Sequence, residues 1–288
     1  MTPTSLLPRR VLKWIAGLLL AALVSLYLLY PVAAGIAAVV PSRQEVGLPP
    51  AGFQAVSLAT EGGTALAGWS TPPHNDTAVV LLHGAGGSRE EVRPYAQMLQ
   101  SAGFGVLALD LQGHGASEGR TNRFGWQSTA DVVAAVAFLQ ERGIERIGGL
   151  GLSLGGETLL GAANACPAMT PIVADGATRR SIGELWALPS ERPLVRNFVQ
   201  RVMFATVQLL SGQEPPLPLL DAMVAAPETR TLLIAGGNAA LEAAYNERFS
   251  DVLGERATLW VAPGAGHTGA LARYPDEYRQ RVIAFLSQ

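Results

Sequence analysis

The sequence predicts an α/β domain built on a mainly parallel sheet with helices on both faces, preceded by one transmembrane helix. Three observations carry this reading. Short apolar runs alternate with amphipathic stretches through most of the chain, the pattern of strands joined by crossover helices. No charged residue occurs from Ile15 to Val40. Every residue suited to chemistry falls just after an apolar run, and ligands of open parallel sheets bind beyond the carboxyl ends of the strands.

Residues 1–40 form a short polar stub and an apolar segment, Leu-rich as far as Tyr30, that exceeds the roughly 20 residues needed to cross a bilayer. Arg9, Arg10 and Lys13 precede it and only Arg43 follows closely. The positive-inside bias therefore keeps the N-terminus cytoplasmic and sends the remainder outward. A cleaved signal peptide competes with this reading, with small-residue sites at Val32, Ala33, Ala34 or Gly35, Ile36, Ala37. The apolar region is longer than the usual 7–15 residues of a signal peptide, roughly by a factor of two, which favours an uncleaved anchor. Residues 41–52, with Pro41, Gly47, Pro49, Pro50 and Gly52, read as a linker.

The domain then occupies 53–288. Residues 53–60 and 65–70 flank a Glu61, Gly62, Gly63 turn and predict an antiparallel hairpin. Strands are expected at 78–82, 105–109, 147–152, 171–174, 231–235 and 257–262. Helices are expected near 90–101, 128–142, 154–165, 240–253 and 275–286. The alternation is interrupted at about 179–226, which holds Trp186, Phe198, Met203, Phe204 and the break at Pro215, Pro216 and Pro218. That segment is too long for an ordinary connection and reads as a helical lid over the strand ends, with a helical excursion on the sheet edge as the alternative.

A net charge of -2 without any cationic cluster beyond Arg9, Arg10 and Lys13 gives no footprint for nucleic acid. Cys166 is the only cysteine, so neither an intrachain disulfide nor a cysteine metal cage can form.

Gly151, Leu152, Ser153, Leu154 and Gly155 lie between an apolar run and a small-residue helix. A serine on such a strand-to-helix turn has its hydroxyl pushed out of the sheet, and glycines on either side let strand and helix pass closely. Serine needs a base. Of His74, His83, His114 and His267, only His267 fits the chain order nucleophile, acid, histidine expected on such a sheet. His83, Gly84, Ala85, Gly86 and Gly87 end the first parallel strand, where the Ala85 N–H, with the Leu154 N–H after the nucleophile, would serve a developing oxyanion. The loop completes neither a Walker pattern nor GxGxxG, which makes phosphate binding the weaker alternative.

With HGAGGS at 83–88, DLQGHGAS at 110–117, GLSLGG at 151–156 and PGAGHTG at 263–269, the chain resembles the α/β-hydrolase family over 53–288. The likeness is greatest to its single-pass, membrane-anchored bacterial members with a serine nucleophile. The resemblance implies Ser153 as nucleophile, His267 as base, Ala85 and Leu154 as oxyanion donors, and Asp110 and His114 as wall rather than reacting groups. The family's usual triad aspartate is missing after the 231–235 strand. Glu242 is the first carboxylate there, Asp175 at the end of the preceding strand is the second candidate, and Asn238 is the third.

The function expected is hydrolysis of an ester-like bond in a small-molecule acyl substrate through an acyl-enzyme, with no metal or cofactor required. A serine at 153 argues against the epoxide hydrolases and dehalogenases of this fold, which usually use aspartate. Peptidase, thioesterase and acyltransferase chemistry share the same machinery. A membrane-tethered pseudoenzyme or ligand-binding module lacking the triad acid is the alternative of another class.

Overall fold

The computed structural model describes residues 8–120, 124–188 and 197–288. Eight strands form the sheet: β1 (Gln54–Ala59), β2 (Ala65–Thr71), β3 (Thr77–Leu82), β4 (Gly105–Leu109), β5 (Arg146–Leu152), β6 (Met169–Asp175), β7 (Thr231–Gly236) and β8 (Ala257–Ala262). Their order is β8-β7-β6-β5-β3-β4-β2-β1. The expected hairpin is the antiparallel pair β1–β2, β2 also runs antiparallel to β4, and the other neighbours are parallel.

Strand β3 shows why its sequence is continuously apolar. Ala78, Val80 and Leu82 point into one core with Val132, Leu159 and Phe249, whereas Val79 and Leu81 point into another with Leu99, Tyr278 and Val282. Side chains alternate across a strand, so a strand covered on both faces is apolar at every position. The first core is roofed by α3 (Thr129–Gln140), α4 (Leu154–Ala162) and α7 (Ala240–Leu253). The second is roofed by α2 (Arg93–Ser101) and by α9 (Pro275–Leu286), which follows the short α8 (Ala270–Arg273).

Helix α2 begins later than the expected residue 90. Glu90 and Glu91 are engaged with backbone N–H groups of Gly47 and Gly84, and Pro94 lies in the first helical turn, where its missing N–H costs nothing. The chain passes from β3 to β4 on one side and then to β5 on the other, so the carboxyl ends of β3 and β5 flank a topological switch point.

The apolar N-terminal segment is one helix, α1 (Arg9–Ala38), with mean hydropathy 2.2 in its most apolar window. Only Pro31, Gly35 and Ala38 within it are buried. The segment read as a linker is pinned to the domain: Ser42–Arg43 pair in parallel with His114–Gly115, and Ser42 N–H donates to Gly113 O at 2.7 Å.

The expected lid holds a 3-10 turn (Ile182–Trp186), α5 (Phe198–Ser211) and α6 (Leu219–Val224), while its residues 189–196 lie outside the described set. Helix α6 packs on α4 and α7, and α5 packs along α1. Glu184 ties the two ends of this segment together, accepting from Arg180 N–H, Ser181 N–H and Leu219 N–H at 2.9, 2.9 and 2.7 Å.

Candidate active site

The turn between β5 and α4 is one residue long, and that residue is Ser153. Its backbone sits at φ 49° and ψ −115°, a region costly for a side-chain-bearing residue that the surroundings must over-determine. They do so by close approach. A Cβ at Gly151 would lie 2.3 Å from the Gly155 carbonyl carbon, and one at Gly155 would lie 2.5 Å from the Leu82 carbonyl oxygen. Ser153 N–H donates to Asp175 O at 2.7 Å, which joins the turn to the end of β6.

His267 lies in the loop after β8 and meets a carboxylate. Its Nδ1 is 2.5 Å from Glu242 Oε2, while Glu242 Oε1 accepts the Gly236 N–H at 2.6 Å. Glu242 is in the first turn of α7 and only 3% exposed. The hydrogen bond to Glu242 raises the His267 pKa above 6.5, outweighing the opposing effect of partial burial. Of the three acid candidates, only Glu242 makes this bond. Asn238 is turned away, donating through Nδ2 to Gly264 O at 3.1 Å. Asp175 is buried with both oxygens outside hydrogen-bonding geometry, the Tyr278 hydroxyl lying beside it, and burial pushes its pKa up to about 7. The backbone of Gly176 touches the imidazole: a Cβ there would be 2.9 Å from His267 Cε1. Among the described contacts, Ser153 and His267 share no hydrogen bond; such bonds commonly tighten only around a substrate.

The sequence matches the model of the alpha/beta hydrolase family over residues 79–281. The chain belongs to that family. Solved structures of similar shape include an esterase of Pyrococcus furiosus, 24% identical, with a TM-score of 0.69 over 85% of this chain and 97% of that one. A dienelactone hydrolase from Anabaena variabilis is 23% identical, with a TM-score of 0.58 over 81% and 95% of the two chains. A proline iminopeptidase of Mycobacterium smegmatis is 18% identical, with a TM-score of 0.59 over 81% and 97%. At these identities the likeness is one of fold.

The glycine-rich loop after β3 of this alpha/beta hydrolase is fixed by buried polar residues. His83 is fully buried; its Nδ1 lies 2.8 Å from Gly84 O, and its Nε2 accepts the Leu111 N–H at 3.1 Å. Those partners define one neutral tautomer, and burial lowers the pKa to about 3, so the ring serves as a fixed dipolar brace. Gly84 N–H donates to Glu91 Oε2 at 2.9 Å. Asp110 pairs with the Arg89 guanidinium and accepts from Arg89 N–H and Ala116 N–H at 2.6 and 2.8 Å, clamping the 83–89 loop to the 110–117 loop. His114 meets Gln112 O at 3.0 Å. Asp110 and His114 are buried bracing residues of these loops, and neither lines the cavity that holds Ser153.

Ser153, Leu154 and Ala85 line one cavity of about 330 Å³, shared with Phe124, Glu157 and Met203. A larger groove of about 620 Å³, lined by Thr71, Asp76, Phe138 and Gly143, lies at the amino ends of the parallel strands and holds none of the reactive groups. Sequence reasoning passed over Glu157. It lies one helical turn after Ser153, is buried, and accepts from Thr178 N–H and Oγ1 at 2.9 and 3.0 Å. Burial pushes its pKa up to about 7. The available signal was a carboxylate inside an otherwise apolar helical run.

Proposed function

We propose that this family member is a serine hydrolase acting on ester-like acyl bonds. The observation that carries the reading is the Glu242–His267 bond, formed on the same sheet end as a serine held at positive φ. Ser153 Oγ attacks the acyl carbonyl while His267 Nε2 takes its proton. The carbonyl oxygen becomes an oxyanion, stabilised by the Ala85 and Leu154 N–H groups. As the carbonyl re-forms, the C–O bond to the alcohol breaks and His267 returns the proton to the leaving group. Water then gives a proton to His267 and its oxygen to the acyl carbon, and the proton passes back to Ser153 as the acid departs. Glu242 holds the imidazole and stabilises its charged form.

The pseudoenzyme alternative rests on an absent triad acid; a buried Glu242 carboxylate bonded to His267 supports the hydrolase reading over it. Helix α1 serves in this reading as a single-pass anchor, with the domain on the extracytoplasmic side because Arg9, Arg10 and Lys13 stay inside. The test is labelling of the full chain in detergent by a fluorophosphonate probe, with Ser153→Ala beside it. Labelling confined to the wild type is the expected result. A folded wild-type protein that takes no label overturns the proposal.

A further inference from the structure

The cavity that holds Ser153 is walled in part by the membrane helix: Ala34 and Ala38 of α1 line it beside Met203 of α5. We propose that the substrate is an acyl ester of a bilayer lipid, and that the last two turns of α1 form a wall of its acyl-binding site. This deepens the serine-hydrolase reading and rests on it for the reaction, though not for the location of the lipid.

Five features hold α1 against the site. Pro31, Gly35 and Ala38 recur on one helical face and are its buried residues. At Gly35 the backbones are in near contact, for an added Cβ would lie 2.6 Å from Thr206 Cβ and 3.0 Å from Met203 O. Tyr27 stacks on Phe198 with ring centroids 5.3 Å apart, and Ala38 joins Trp126, Leu185, Phe204 and Val207 in a separate apolar cluster. Immediately beyond the helix, Ser42 Oγ and Gln44 Nε2 both donate to Gly86 O, at 2.9 and 2.6 Å. The chain leaving α1 is therefore bolted to the loop that carries Ala85.

Depth identifies the occupant. Lys13 stays on the cytoplasmic side, so the hydrocarbon layer begins near Ile15; residues 15–30 are exposed throughout, and at about 1.5 Å per residue a layer of about 30 Å ends near Ala34. Pro31 is the first buried residue. Ala34 and Ala38 thus lie at the outer edge of the hydrocarbon and about 6 Å beyond it, the layer where lipid ester bonds lie. The tail of such a lipid reaches the cavity along apolar walls, and Glu157 with Thr178 offers a polar end for the alcohol portion. Cleavage after Ala34 or Ala37 would remove Ala34 and leave Ala38 without the helix that holds it.

The test uses full-length protein in phosphatidylcholine vesicles and two readouts. First, Ser153→Ala protein is photolysed with a monoacylglycerol carrying a diazirine on its acyl chain. Adducts on the segments around 31–38 and 199–206 are expected, and labelling elsewhere only overturns the proposal. Second, turnover of 1-oleoylglycerol in the vesicles is compared with that of p-nitrophenyl acetate. Ala34→Leu, which fills the cavity from α1, is expected to lower the oleoyl-to-acetyl ratio at least tenfold, whereas Ala22→Leu, on the exposed part of α1, leaves it unchanged. An unchanged ratio in Ala34→Leu overturns the wall. Failure of the serine chemistry appears separately, as loss of fluorophosphonate labelling in the wild type with the photolabelling pattern intact.

Discussion

Glu242 grips His267 from inside the protein: one carboxylate oxygen lies 2.5 Å from Nδ1 and the other is held by the Gly236 N–H at 2.6 Å. With both oxygens engaged and the side chain 3% exposed, the carboxylate has little freedom and water cannot replace it. Glu242→Gln keeps the shape but removes the charge that stabilises imidazolium. Loss of about three to four orders of magnitude in kcat is expected, with fluorophosphonate labelling slowed in parallel. Steady-state turnover of a p-nitrophenyl ester measures it; full activity in this variant would move the acid elsewhere.

The same bond sets the pH profile. In the proposed reaction His267 is a base only when neutral, and Glu242 raises its pKa above 6.5. The acidic limb of kcat/KM therefore lies above pH 6.5 in the wild type, with activity falling as pH drops through it. In Glu242→Gln the limb moves to lower pH. Profiles of kcat/KM from pH 5 to 9 for the two proteins check the direction.

Asp175 behaves in the opposite way to a triad acid. Its folded pKa is raised by burial from 3.8 to about 7, so between those values the native state binds more protons than the unfolded one. Stability is thus lost as pH rises through that window. Asp175→Asn, which carries no such penalty, is expected to gain on the order of 1–3 kcal/mol at pH 8 and far less at pH 5. Activity stays within a few-fold of wild type. Urea melts at the two pH values test the first statement. A thousandfold loss of kcat would instead make Asp175 the working acid.

Gly151→Ala strikes backbone rather than a side-chain tip, at 2.3 Å from the Gly155 carbonyl carbon. Neither β5 nor α4 can shift without moving Ser153. A cost above about 3 kcal/mol is expected, with loss of soluble, folded protein. Gly62→Ala, which meets only Thr60 Oγ1 at 3.8 Å, changes the melting temperature little. Parallel thermal melts of the two variants provide the comparison.

How much of this was legible in advance differs from residue to residue. The elbow at Ser153 was readable because strand, turn and helix are contiguous and two close backbone approaches demand glycine at 151 and 155. His267 followed from chain order. The acid did not. Glu242 and Asp175 both follow strand ends, and nothing local says which carboxylate meets the imidazole. Glu157 was missed because a single glutamate in a helix is ordinarily solvated, and here it is buried against Thr178 at the wall of the Ser153 cavity.

The sequence alone determined the alternation of strands and helices, the glycine-flanked serine turn, the apolar N-terminal helix and the lack of a second cysteine for an intrachain disulfide, since each is written in neighbouring residues or in composition. Only the tertiary structure decided that Glu242 bonds His267, that Asn238 turns to Gly264, and that Gly35 packs on Thr206 so that α1 lines the cavity of Ser153. These contacts join segments far apart in the chain. Their partners are fixed by how whole elements pack, and a small residue such as Gly35 or Ala38 reads the same in the sequence whether it faces lipid or protein.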